Sequence, residues 1–245
     1  MNEVFRGALY KVNVMTKKIG IIGGIGPAST VDYYNEIITG YRKNIDSDDY
    51  PKIIINSINM NEMLSLVANK KWDDLAQLLV NAVNDLKNGG ADFAAIACNT
   101  AHIVFDRVQQ KADLPIISIV KSTCEEAKEK HCKRVLILGT TFIMSNPLYI
   151  DALNDYMITA IPPSNAEIEK IHNIIFPNLE NGIVIPKDKE KMLEIVDDLI
   201  ERNNIDSVLL GCTELPLMIK KEDLPCPILN TTEIHIKEII KYALK

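Results

Sequence analysis

The run Ala94-Ala95-Ile96-Ala97-Cys98-Asn99-Thr100-Ala101-His102 and its counterpart Val208-Leu209-Leu210-Gly211-Cys212-Thr213-Glu214 decide the architecture of this 245-residue chain. Each is a short apolar segment that ends in a cysteine and passes at once into small polar residues. The apolar part has the length of a buried strand, and the polar residues have the character of a helix start. A thiol at such a junction faces unpaired backbone N–H groups and the positive end of a helix dipole, which favours the thiolate. Two thiols placed alike in two halves of one chain imply a pair aimed at one ligand.

Strands and helices alternate around these runs. Lys18 to Gly23 predicts a strand entering the turn Gly23-Gly24-Ile25-Gly26-Pro27; Pro27 suits a first helical position, and the helix continues to Arg42. Lys52 to Ile58 predicts a second strand, followed by a short helix bearing Met63, Leu64 and Val67. Trp72 to Lys87 repeats apolar residues at the helical period and stops at Gly89-Gly90. The cysteine strand, Phe93 to Ala97, leads to a helix opened by Asn99-Thr100 and a strand over Ile116 to Val120.

The second half repeats the plan. It has a strand over Arg134 to Gly139, a helix from about Ser145 and a weaker strand over Tyr156 to Ile161. Helices follow over Ser164 to Leu179 and Lys187 to Asn203, then the strand Ser207 to Gly211. A last strand comes after Leu224-Pro225, and Thr231 caps a closing helix. Cys98 and Cys212 stand 114 residues apart, Leu114-Pro115 and Leu224-Pro225 110, and Gly23 and Gly139 116. Three landmarks at nearly one offset mean internal duplication. The expected fold is α/β: two pseudo-symmetric domains, each a mostly parallel four-stranded sheet flanked by helices, with the active site in the cleft between them. Residues 1–16 are expected as an N-terminal tail, with Met15 a candidate start. Residues 17–118 plus 231–245 are expected as the first domain and 119–230 as the second.

Composition narrows the partners. A net charge of −6 leaves no basic footprint for nucleic acid or an anionic membrane. Five cysteines are an odd number without C-x-x-C spacing, in a chain too large to need disulfide staples. A reducing cytosol is the simplest compartment. The first fourteen residues, Met1 to Val14, lack an apolar segment of the length expected of a signal peptide or membrane span. The expected partner is a small molecule.

Two thiols on opposite sides of one carbon can remove a proton from one face and return one to the other, which inverts a stereocentre. One must be ionised and the other protonated. The carbanion-like transition state is expected to draw on N–H donors at Asn99-Thr100, at Thr213-Glu214 and in the turn Gly24-Ile25-Gly26. Nothing resembles a lysine that carries pyridoxal phosphate (PLP) or a metal site, so no cofactor is expected. Gly24-x-Gly26-x-x-Ser29 lacks the third glycine of a dinucleotide fingerprint.

Gly-Gly-Ile-Gly-Pro-Ala-Ser-Thr (23–30), Ala-Cys-Asn-Thr-Ala-His (97–102) and Gly-Cys-Thr-Glu-Leu (211–215) closely resemble the aspartate/glutamate racemase family. The likeness is strongest to its aspartate racemase branch, which includes broad-specificity amino-acid racemases. It spans about Lys17 to the C-terminus. The resemblance implies a PLP-independent racemase with Cys98 and Cys212 as the acid/base pair. Asn99, Thr100 and Thr213 match positions that hold the substrate carboxylate. Lys170, in Glu-Lys-Ile-His-Asn-Ile-Ile-Phe (169–176), matches a lysine that pairs with a substrate carboxylate. A small acidic amino acid as substrate and a homodimer are implied too. Two positions depart from the pattern. Residues 59–64 hold no arginine for a side-chain carboxylate, which admits glutamate or a broader range. Ile143-Met144 stand where the family often has Thr-Met.

Other readings remain beside this one. A two-cysteine cis–trans isomerase acting on a small dicarboxylate such as maleate has related sites, and a non-catalytic small-anion binder is a third possibility. Cys124, Cys132 and Cys226 are read as packing or surface residues. His102 either tunes Cys98 or is structural. Glu214 either orients Thr213 or caps a helix.

Overall fold

The computed structural model describes residues 16–45 and 49–245. The expected N-terminal tail, Thr16 apart, lies outside the described residues. The first half runs β1 (Ile19–Gly23), α1 (Pro27–Asn44), β2 (Ile53–Ser57), α2 (Met60–Ala68), α3 (Trp72–Asn88) and β3 (Phe93–Ile96). A 3-10 turn (Thr100–Val104), α4 (Phe105–Lys111), β4 (Ile116–Ile117) and α5 (Ile119–Glu129) follow. The second half runs β5 (Arg134–Leu138), α6 (Thr141–Ser145), α7 (Pro147–Asp155), β6 (Thr159–Ile161) and α8 (Asn165–Ile175). It closes with α9 (Pro186–Asn203), β7 (Ser207–Leu210), α10 (Leu215–Met218), β8 (Ile228–Asn230) and α11 (Thr231–Ala243).

The strands form two four-stranded sheets of the same order, β2-β1-β3-β4 and β6-β5-β7-β8. Every pairing is parallel, and Ile22 pairs with Ile96 as Leu138 pairs with Leu210. All four residues of β3 and all four of β7 are buried, as befits inner strands of parallel sheets covered on both faces. The duplication therefore extends to register, and both cysteines follow equivalent strand ends.

Helix α3 shows how a sequence period becomes packing. Leu75, Leu79, Val83 and Leu86 recur at helical spacing and are fully buried, each contributing about 2 kcal/mol by leaving water. Other boundaries depart from the sequence pattern. A strand is expected through Val120, but it ends at Ile117, because Ser118 caps α5 by accepting the N–H of Lys121. Asn230, the last residue of β8, plays the same part for α11 in place of the expected Thr231, accepting from Thr232 and Glu233. The helix expected to reach Leu179 stops at Ile175. Phe176 precedes Pro177, which disfavours helical geometry, and its backbone is extended. The strand expected from Tyr156 starts at Thr159, since Met157, at φ 61°, turns back onto Asn154.

Helices α5 and α11 pack against each other, and each packs into the core of the opposite half. Ile119, Val120 and Cys124 of α5 join Val135, Ile137 and Leu209 of the second sheet. Ile236, Ile239 and Ile240 of α11 join Ile19, Phe93 and Ala95 of the first. Two buried histidines sit at this crossing. His235 Nδ1 accepts from the Tyr33 hydroxyl and Nε2–H donates to the carbonyl of Ile117. His102 Nε2 accepts the N–H of Ile119, so its Nδ1–H donates to the carbonyl of Cys98. Both rings are consistent with single, neutral tautomers.

Burial lowers His102 to about 4 and His235 to about 3, from an ordinary 6.5. Below pH 6.5 the unfolded chain takes up protons that the folded chain refuses. Their contribution to stability is thus complete above pH 6.5 and is lost as pH falls from 6.5 towards those folded values, at up to about 1.4 kcal/mol per pH unit for each histidine. Denaturant midpoints measured from pH 7 to 4.5 are expected to fall steadily. A flat profile would contradict neutral buried imidazoles.

Candidate active site

The carboxyl ends of β1, β3, β5 and β7 converge on one cavity of about 690 Å³ between the two sheets. The turn after β1 brings Ile25 and Gly26 to its wall. Gly24 makes that turn possible: its φ is +81°, and a Cβ there would lie 2.3 Å from the carbonyl oxygen of Ile58. Its N–H donates to Thr30 Oγ1, so Gly24 shapes the wall without belonging to it. Cys98, Asn99 and Thr100 line the cavity from the first half, and Cys212, Thr213 and Glu214 from the second. All the expected site residues except Gly24 and Lys170 meet there.

Lys170 is exposed on α8 and does not line the cavity. Ile168, Ile171 and Ile175 fix the buried face of that helix, and Lys170 falls off it. His172 and Ile175 are the residues of α8 that line the cavity. The sequence also gave no notice of Thr140, Thr141 and Phe142, or of Glu180 and Asn181 on the turn after α8. Thr140 and Thr141 supply hydroxyls beside the position where Ile143-Met144 suggested a missing donor; Ile143 and Met144 are buried in the core instead. Helix α2 contributes Met60, Met63, Leu64 and Val67, an apolar wall over the stretch that lacks an arginine.

The expectation of ready thiolates is corrected by burial. The N–H groups of Thr100 and Ala101 favour the Cys98 thiolate, but desolvation outweighs them and raises its pKa to about 11. A five-residue 3-10 turn follows Cys98 in place of a full helix, so the dipole at that end is short. Burial pushes Cys212 up as well, and Glu214 adds to the effect. Glu214 Oε2 accepts from Cys212 Sγ at 3.0 Å and from Thr213 Oγ1 at 2.8 Å. Its charge also raises Cys98. Glu214 thus orients Thr213 and holds a proton on the second thiol.

Asn99 is not a side-chain helix cap. Its Oδ1 accepts from the Tyr149 hydroxyl at 2.5 Å, and its Nδ2 donates to Thr231 Oγ1 at 3.1 Å. His102 takes the structural reading, since it grips the Cys98 carbonyl rather than the sulfur. Cys124 and Cys132 are buried packing residues, and Cys226 is partly exposed. Among the described residues, no cluster of three His, Cys, Asp or Glu side chains is placed to hold a metal, and no helix is long and apolar enough to cross a membrane.

Residues 22–239 match the family model described as Asp/Glu/Hydantoin racemase. The broad specificity amino-acid racemase RacX of Bacillus subtilis (strain 168) is 24% identical over 92% of this chain and 98% of its own length. The crystal structure of an aspartate racemase homologue from Pyrococcus horikoshii OT3 is 37% identical. It superposes with a TM-score of 0.84 over 94% of this chain and 100% of that one. A putative Asp/Glu racemase from Yersinia pestis is 30% identical with a TM-score of 0.87, over the same shares.

The thiol chemistry has a direct readout. Alkylation by iodoacetamide, followed residue by residue with mass spectrometry, is expected to be slow at pH 7 for both Cys98 and Cys212. It should rise about tenfold per pH unit on the way to the Cys98 value of about 11. Glu214→Gln removes a negative charge beside both sulfurs and should shift both profiles to lower pH. Fast alkylation of the native protein at pH 7 would overturn the assignment of protonated resting thiols.

Proposed function

The chain belongs to the Asp/Glu/hydantoin racemase family and is an isomerase, and from that premise we propose that it racemises an amino acid by two-base proton exchange between Cys98 and Cys212. One observation carries this reading: both cysteines follow equivalent strand ends of the duplicated halves, and both line one cavity. Catalysis of this kind needs one base and one acid on opposite faces of Cα.

A bound amino acid brings a positive α-ammonium into a pocket where both thiols are protonated. That charge favours ionisation of a neighbouring thiol, whose proton passes to solvent as the substrate enters. The thiolate takes the Cα proton, and the electron pair left on carbon spreads into the carboxylate. Thr100 and Thr213, which line the cavity, are the proposed donors that receive that charge. The opposite thiol then gives its proton to the other face of Cα. The substrate leaves inverted, with the two sulfurs' protonation states exchanged. Glu214, which accepts the Cys212 Sγ–H, keeps that thiol as proton donor in the empty site and faces the α-ammonium when substrate is bound.

The rest of the proposal is organisational. The protein works in the cytosol as a homodimer without a bound cofactor. Its domains divide at about residues 118 and 231, so that α5 and α11 each begin in one half and pack against the other. Free thiols, the family resemblance and the crossed helices support this arrangement.

In D₂O without added PLP, the protein is expected to exchange the α-proton of its substrate and to interconvert the enantiomers. Cys98→Ala and Cys212→Ala should each lower racemisation by about 10³-fold, the scale of one lost general acid or base. Full racemisation by either single variant would refute the two-base account. A covalent adduct with maleate, seen as a mass increase on a cysteine, would transfer the protein to the cis–trans isomerase class.

A further inference from the structure

The charges around the cavity do not suit a substrate with a side-chain carboxylate. Among the described residues lining it there is no lysine and no arginine, while there are two glutamates. Glu214 lies on the Cys212 side, and its Oε1 is 3.6 Å from where a Cβ on Gly26 would stand. It therefore bridges the reacting ends of both halves, where an α-ammonium has to sit. Glu180 belongs to the turn that follows α8. Leu179, fully buried, anchors that turn and fixes Glu180 at the cavity wall.

Among the described residues Glu180 has no hydrogen-bond or ion-pair partner. Burial and the negative charge of Glu214 both disfavour its ionised form, with His172 opposing them. The His172 ring packs on Phe176, and its Nδ1 is buried without a hydrogen-bond partner among the described residues. The same cavity carries the apolar wall of Met60, Met63, Leu64 and Val67. A dicarboxylate would set a third negative charge among two and leave that wall against a short polar chain. A purely apolar side chain would leave a desolvated carboxylate uncompensated. An aliphatic stem that ends in a cation meets each feature: the stem covers the wall, and the cation neutralises Glu180.

We propose that the substrate is an amino acid whose unbranched aliphatic side chain ends in an ammonium group, of the lysine or ornithine kind, with Glu180 as the specificity-determining residue that receives that group. This rests on the racemase reading and deepens it. Selectivity comes as much from rejecting acids as from attracting bases, since like charges forced together in a partly desolvated pocket repel.

The experiment is α-proton exchange in D₂O with L-lysine, L-ornithine, L-norleucine, L-glutamate and L-aspartate, followed by NMR and chiral chromatography. For the unaltered protein, kcat/KM for lysine or ornithine is expected to exceed that for glutamate on the order of a hundredfold, with norleucine between. Glu180→Gln should cut the lysine-to-norleucine ratio by about thirtyfold, mainly through KM. Glu180→Lys should move the preference toward glutamate. Glutamate or aspartate matching lysine in the unaltered protein would overturn the proposal, whatever the variants do. So would a lysine-to-norleucine ratio that Glu180→Gln leaves in place. Exchange of aspartate or glutamate alone would leave the racemase reading standing and sink this one; no exchange with any amino acid would sink both.

Discussion

The geometry of the cavity depends on a buried chain of hydrogen bonds through Asn99. The Tyr149 hydroxyl donates to Asn99 Oδ1, Asn99 Nδ2 donates to Thr231 Oγ1, and Thr231 Oγ1 donates to the carbonyl of Leu210. Asn99 immediately follows Cys98, and Leu210 stands two residues before Cys212. A single polar path thus spans the junction of the halves and ties the two cysteine strands together. The groups in it are buried, so breaking any link leaves an unpaired donor or acceptor, at about 1–3 kcal/mol. His102 and His235 extend the same kind of tie beneath it, joining the Cys98 carbonyl to the start of α5 and the β4 carbonyl to α1. The distance between the two thiols is therefore set by polar contacts that tolerate little drift, and by apolar packing of α5 and α11 around them.

The burial that fixes these positions also sets their chemistry. A cysteine at the start of a helix in water would be expected to ionise easily. Here desolvation is the largest influence on both sulfurs and outweighs the N–H groups aimed at them. On the proposed mechanism both sulfurs hold their protons until a charged substrate releases one, and a buried protonated thiol is less open to the oxidation that an exposed thiolate invites.

Much of this was legible in the sequence because duplication leaves a one-dimensional trace. Cys98 with Cys212, and the two Leu-Pro pairs, mark equivalent strand ends in the sequence alone. Local chemistry was legible only where one residue type has one use: Gly24 in a left-handed turn, or Pro27 opening α1. Val120 misleads because a β-branched residue after two isoleucines reads as strand, while the cap at Ser118 decides for helix. Lys170 misleads for a different reason. A motif gives the residue but not the helical face, and on α8 the face toward the cavity carries His172 and Ile175. Glu180 gave no signal at all, since a glutamate in a turn is ordinary until the fold brings Glu214 into its field.

A duplicated scaffold gives two equivalent sulfurs, yet a chiral substrate needs surroundings that differ from side to side. The residues after each cysteine supply the difference. Behind Cys98, the side chain of Asn99 turns inward and is spent on Tyr149 and Thr231. Behind Cys212, Glu214 turns back onto the thiol itself and onto Thr213. One side is thus neutral and structural, the other charged and coupled to its sulfur. On the proposed mechanism the backbone symmetry offers one sulfur to each face of a single carbon, and the side-chain asymmetry gives an amino acid's ammonium a single direction in which to point, so that both enantiomers share one orientation of their charged groups while the proton changes faces.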